Sequence, residues 1–121
     1  MNILIVDDDP LVRDFAASTV QLAGAGCNCV ADGAQALELL QVNCYDLVLI
    51  DLFMPVKEGI ETIIEIRRTY PSVGIIAMSS GAGPLAAGQM LASAMALGAD
   101  AALCKPFSAD ELWTTVRRLA G

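Results

Sequence analysis

Ile3-Leu4-Ile5-Val6-Asp7-Asp8-Asp9-Pro10 is the stretch that decides the fold. Four apolar, mostly branched residues without polar alternation predict a strand buried on both faces. The run stops at three aspartates, and Pro10 suits the first turn of a helix capped by Asp9. A buried strand that ends in acid and turns at once into a helix is half of a β-α-β unit. The remainder of the chain repeats the pattern.

Working outward, the first helix is expected from Pro10 to Ala25, with Phe15, Thr19 and Leu22 at helical spacing and Gly24 and Gly26 as the stop. Cys27 to Ala31 predicts a second strand, and Gly33 to Gln41 a helix with Leu37 and Leu40 inward. Leu47-Val48-Leu49-Ile50 is a third strand ending at Asp51. Ile60, Ile63, Ile64 and Arg67 mark a helix that stops near Pro71. Gly74 to Met78 is a fourth strand running into Ser79-Ser80-Gly81, and a helix follows from about Leu85 to Leu97. Ala101 to Cys104 is a fifth strand before Lys105-Pro106-Phe107. Ser108 and Glu111 form a capping box for the last helix, with Leu112, Val116 and Leu119 inward. Five apolar strands alternating with five helices predict an α/β fold, a parallel sheet covered on both faces.

The composition narrows the function classes. With 121 residues, 55% of them hydrophobic, the chain can bury one core and is expected to form one domain over 1–121. Mean hydropathy is high, at +0.58, yet Ser79, Ser80, Gly81, Pro84, Gln89, Ser93 and Asp100 interrupt the most apolar stretch. No run reaches the roughly 18 apolar residues of a membrane span. The start lacks a basic leader, and Met1 directly before the first strand is expected of a natural N-terminus. A net charge of −7 disfavours non-specific affinity for nucleic acid or anionic lipid. Cys27, Cys29, Cys44 and Cys104 include one C-x-C pair, and the chain has no histidine, which argues against structural zinc. They are expected to be buried or half-buried thiols of a reducing cytosol.

Position carries the functional argument. Asp7, Asp8, Asp51, Ser79 and Lys105 all fall at the carboxyl ends of strands, where open parallel sheets bind ligands. Three converging carboxylates repel one another unless compensated, and Mg²⁺ (or Mn²⁺) is the hard, oxygen-seeking partner they call for. A carboxylate between such a cation and an ammonium is poised to accept a phosphoryl group. Ser79 can donate a hydrogen bond to a phosphoryl oxygen. No second nucleophile or acid/base outside this set supports a hydrolase.

Ile5-Val6-Asp7-Asp8-Asp9 with Arg13, Asp51-Leu52-Phe53-Met54-Pro55 followed by Gly59, Met78-Ser79, and Leu97-Gly98-Ala99-Asp100 leading to Lys105-Pro106-Phe107 occur in that order. In these marks the whole chain resembles the response-regulator receiver family. The resemblance implies a doubly wound (βα)5, flavodoxin-like three-layer sandwich with sheet order 2-1-3-4-5. It implies that Asp51 is the phosphoacceptor. Asp7, Asp8, Asp51 and the Phe53 main-chain carbonyl would hold the metal, and Ser79 and Lys105 would contact the phosphoryl group. The Lys105–Pro106 bond is expected to be cis. Expected partners are a histidine kinase or histidine phosphotransfer protein, and a downstream protein or attached output or kinase module, with no direct nucleic-acid or membrane contact. A phosphorylation-dependent homodimer is one form such a switch can take, and the thiols point to a cytoplasmic location. The domain would be a switch, not an ordinary enzyme; the alternative is a phosphorylation-independent, receiver-like interaction domain. Ala102 departs from the pattern, standing where relatives carry the Tyr or Phe of an aromatic switch. Gly81-Ala82-Gly83-Pro84 is expected to form a loop beside the site.

Overall fold

A computed structural model describes residues 1–53, 59–79 and 92–120 of the chain. The expected glycine-rich loop at 81–84, the start of the fourth helix, Ser80, and Met54-Pro55 lie outside those residues. In chain order the elements are β1 (Asn2–Val6), α1 (Pro10–Leu22), β2 (Gly26–Val30), α2 (Gly33–Val42), β3 (Leu47–Asp51), α3 (Gly59–Thr69) and β4 (Gly74–Ser79). They continue with α4, helical over 92–97, then β5 (Ala101–Cys104) and α5 (Ala109–Ala120). The strands form one parallel sheet in the order β2-β1-β3-β4-β5. This is the doubly wound arrangement expected.

Strand alternation explains why these strands read as unbroken apolar runs. Ile3, Ile5, Leu47, Leu49, Ile76 and Met78 pack on one face with Ala16 and Val20 of α1 and Leu112 and Val116 of α5. Their neighbours Leu4, Val6, Val48, Ile50, Ile75 and Ala77 pack on the other with α2, α3 and Ala94 of α4. Both faces are dry, so neither set of positions can be polar.

Caps form as the residue types demand. The Asp9 carboxylate accepts from the Leu11 N–H at 2.9 Å. Ser108 Oγ accepts from the Glu111 N–H at 3.0 Å, and Glu111 Oε1 from the Ser108 N–H at 3.3 Å. Helix α1 ends at Leu22, three residues earlier than expected, because Gly24 reverses the chain at φ +95°. Its inward residues are Ala16 and Val20, whereas Phe15 and Leu22 are exposed. The cysteines also depart from expectation. Cys27 is half-buried, but Cys29, Cys44 and Cys104 are exposed. Cys29 and Cys104 lie on the two edge strands, which helices cover only partly, and Cys44 lies in the connection to β3.

Two contacts fix the helices relative to the strand ends. A Cβ at Gly59 would collide with the Asp51 carbonyl oxygen and sit 2.7 Å from Leu52 Cα, so only glycine lets α3 start against the end of β3. At the other end of α3, Arg67 donates to the Gly98 carbonyl (3.0 and 2.8 Å), the Pro71 and Val73 carbonyls (2.8 and 2.9 Å) and Asp100 Oδ2 (2.6 Å). Asp100 Oδ2 also accepts from the Ile75 N–H. One guanidinium thus ties α3 to the starts of β4 and β5.

Candidate functional site

The sheet register brings the acidic residues level with one another. Val6 pairs with Ile50, so Asp7 follows β1 at the height where Asp51 ends β3. The alternation that sends Ile3, Ile5, Leu47, Leu49, Ala101 and Leu103 toward α1 and α5 carries Asp7, Asp51 and Lys105 to the same side. Ser79 follows Ile75 and Ala77 and takes the opposite side.

Asp7 is fully buried and held at every oxygen. Its Oδ2 accepts from Lys105 Nζ at 2.6 Å, its Oδ1 from the Asp9 N–H at 2.9 Å, and its carbonyl from Arg13 at 2.7 Å. Lys105 Nζ lies 3.4 Å from Asp51 Oδ1. Its main-chain N–H donates to the Ser79 carbonyl at 2.9 Å, which places the lysine beside the end of β4. The Lys105–Pro106 bond is cis, as expected.

Burial pushes the Asp51 carboxyl up to about 6, and the charge of Asp7 pushes the same way. The charge of Lys105 and hydrogen bonds from Phe53 and Lys105 offset only part of this. For Lys105, burial favours the neutral amine, yet the hydrogen bond to Asp7 and the charges of Asp51 and Asp7 outweigh it and hold the ammonium above its usual range. The site therefore carries more negative charge than one lysine neutralises.

Asp7, Asp8 and Asp51 each offer a carboxylate oxygen, all within 4.8 Å of one another. Asp8 is the exposed member and opens the cluster to solvent. Among the described residues no other group of three or more His, Cys, Asp or Glu side chains converges in this way. An all-oxygen donor set with surplus negative charge fits a divalent cation. The Ser79 hydroxyl is fully buried and has no hydrogen-bond partner among the described residues. A buried donor left open at the same carboxyl edge fits an anionic group arriving there.

The positions singled out in the sequence therefore gather at one end of the sheet. Asp7, Asp51 and Lys105 touch or nearly touch, Asp8 completes the acidic cluster, and Ser79 adjoins Lys105 through the backbone. Phe53 is half exposed and reaches Asp51 through its backbone. Sequence reasoning left out what Arg13 does. A basic residue one turn into a helix that starts beside the acidic pair was the available sign.

Fold and site together define a class: a flavodoxin-like (βα)5 domain with an acidic, cation-ready cluster at the carboxyl edge of its central strands. The model of the response regulator receiver domain matches residues 3–117, and the chain belongs to that family. It is a receiver domain, the module through which response regulators serve two-component signalling. Response regulator MprA of Mycobacterium sp. (strain KMS) is 32% identical, covering 98% of this chain and 50% of that protein. Transcriptional regulatory protein CpxR of Escherichia coli (strain K12) is 34% identical, covering 98% of this chain and 48% of that protein. The chain thus spans about half the length of these curated relatives. Among solved structures, chemotaxis response regulator CheY4 of Vibrio cholerae superposes with a TM-score of 0.87 at 30% identity, covering 98% of this chain and 97% of that one. The receiver domain of NtrX from Brucella abortus gives 0.89 at 28%, with 98% and 97% covered. No helix among the described residues is long and apolar enough to cross a membrane.

Proposed function

We propose that the domain is a phosphoacceptor switch in which Asp51 takes a phosphoryl group from a phosphohistidine of a kinase or phosphotransfer partner. The observation that carries this reading is the buried Asp51 carboxylate between the Lys105 ammonium, 3.4 Å away, and the Asp7–Asp8 pair. An Asp51 Oδ attacks phosphorus while the P–N bond breaks, and its electron pair leaves with the imidazole nitrogen. The product is an acyl phosphate on Asp51. Lys105 pairs with the phosphoryl oxygens, and Ser79 donates its open hydrogen bond to one of them. Asp7, Asp8, Asp51 and the Phe53 main-chain carbonyl would hold Mg²⁺ or Mn²⁺. Such an ion, when bound, spreads the charge developing on the transferring oxygens.

Phosphorylation then shifts a two-state equilibrium by giving Ser79 and Lys105 contacts that only one state makes. Hydrolysis of the acyl phosphate resets the switch, so the chemistry is self-modification more than turnover of a substrate. The output is contact with a downstream protein, an attached output or kinase module, or a second copy of the chain, in the cytoplasm.

The test is intact mass after incubation with a small-molecule acyl phosphate and Mg²⁺. The parent is expected to gain one labile phosphoryl group and Asp51→Asn none. Undiminished stoichiometric labelling of Asp51→Asn would remove Asp51 from its role. A parent that takes up no phosphate would return the domain to phosphorylation-independent interaction.

A further inference from the structure

Cys27 and Cys29 are the feature that the phosphoacceptor reading leaves unused. They occupy alternate positions of β2, the free edge of the sheet, so both thiols project from one face. The intervening Asn28 projects from the other and accepts from the Tyr45 hydroxyl at 2.6 Å. Cys29 lies close enough to Cys27 to feel its charge. Gln21 of α1 donates to Cys27 Sγ at 3.5 Å. The charges of Arg13 and Asp14 act on Cys29 from the same helix.

We propose that Cys27 and Cys29 form a two-coordinate site for a soft monovalent cation of the Cu(I) class. Thiolates select such ions, and two sulfurs complete a linear shell without histidine or carboxylate. Alternate strand positions place the Cα atoms about 6.6 Å apart. That is near the upper limit for a direct disulfide. Even at the zinc–thiolate length of about 2.3 Å, two metal–sulfur bonds reach sulfurs no more than about 4.6 Å apart, a separation that thiols leaning together on one face can meet. The ion displaces both thiol protons, and a Cu⁺ with two thiolates leaves a net charge of −1. The charge of Arg13 acts on Cys29 to offset part of it, against that of Asp14. Zinc, which needs four ligands, gains little from two sulfurs.

The test titrates the reduced full chain with Cu(I) without oxygen, against a chromophoric Cu(I) chelator. The parent and a Cys44→Ser, Cys104→Ser double variant are expected to retain one equivalent, with two protons released. Cys27→Ser and Cys29→Ser, each checked for a native amide NMR spectrum, are expected to lose retention. Retention by either single variant, loss in the Cys44/Cys104 variant, or tighter binding of Zn²⁺ than of Cu(I) would overturn the site. None of these outcomes depends on phosphate uptake at Asp51.

Discussion

At Ser79, a fully buried hydroxyl without a partner among the described residues costs the resting domain about 1–3 kcal/mol relative to a satisfied one. Ser79→Ala removes the polar atom together with its desolvation penalty. The resting variant is expected to unfold in urea at a concentration equal to or above that of the parent, gaining up to about 1 kcal/mol. Its response to phosphorylation, read by amide NMR, should be weaker, because the differential contact is gone. A clear loss of resting stability would show that the hydroxyl already has a partner. Asp51 gives a second expectation at this scale. Its folded-state value of about 6 lies above the ordinary carboxylate value of 3.8. Between these two values the metal-free folded state binds more protons than the unfolded chain. The contribution of Asp51 to stability therefore falls as pH rises through that window and is flat above it. Urea unfolding of metal-free parent and Asp51→Asn should show the slope in the parent alone, and parallel curves would contradict the raised value.

Helix α3 is held at both ends by single residues, and each end has its own expected cost. Arg67→Ala leaves the Gly98 and Val73 carbonyls and Asp100 without their charged donor. A loss on the order of 2 kcal/mol in urea unfolding is expected. A loss under a few tenths would mean that solvent replaces those bonds. Gly59→Ala drives a methyl into the Asp51 carbonyl, so both stability and Mg²⁺ affinity should fall together. The elements themselves were largely legible, because the apolar runs 3–6, 47–50 and 74–78 bury both faces and leave no competing period. Ser108 with Glu111, and Asp9 with Pro10, marked helix starts that the hydrogen bonds match. The inward face of α1 was less legible. Phe15 and Leu22 are larger than Ala16 and Val20, yet the smaller residues take the contact with the sheet, and Phe15 instead meets the Phe107 ring with 6.0 Å between centroids. The cysteines misled for a related reason. A thiol counts as apolar in composition, but whether a strand lies at the sheet's edge depends on strand order, which no single segment encodes.

For the molecule as a whole, the surplus negative charge at the carboxyl edge would make the proposed cation binding and folding one linked equilibrium. Saturating Mg²⁺, at roughly 100 times its dissociation constant, is expected to stabilise the parent by about 2.7 kcal/mol. Asp8→Ala, an exposed substitution that the fold should tolerate, should lose most of that gain in thermal unfolding with and without Mg²⁺. Equal gains would take Asp8 out of the ligand set. The positions of this cluster were readable in advance because parallel sheets deliver every strand's carboxyl end to one edge. The side chain's choice of partner was not. That Lys105 bonds Asp7 at 2.6 Å while Asp51 stands at 3.4 Å follows from register and from the Lys105–Ser79 backbone bond, which join distant segments. The same parity has a consequence for how such a domain diversifies. The carboxylate–ammonium cluster belongs to the α1 and α5 side of the sheet, and Ser79 to the α3 and α4 side. If Ser79 carries the signal as proposed, the chemistry faces one helix layer and its readout the other, and the two meet over the carboxyl edge. Substitutions on the readout side could then retarget the domain to new listeners while the acceptor's own neighbours stay under separate selection.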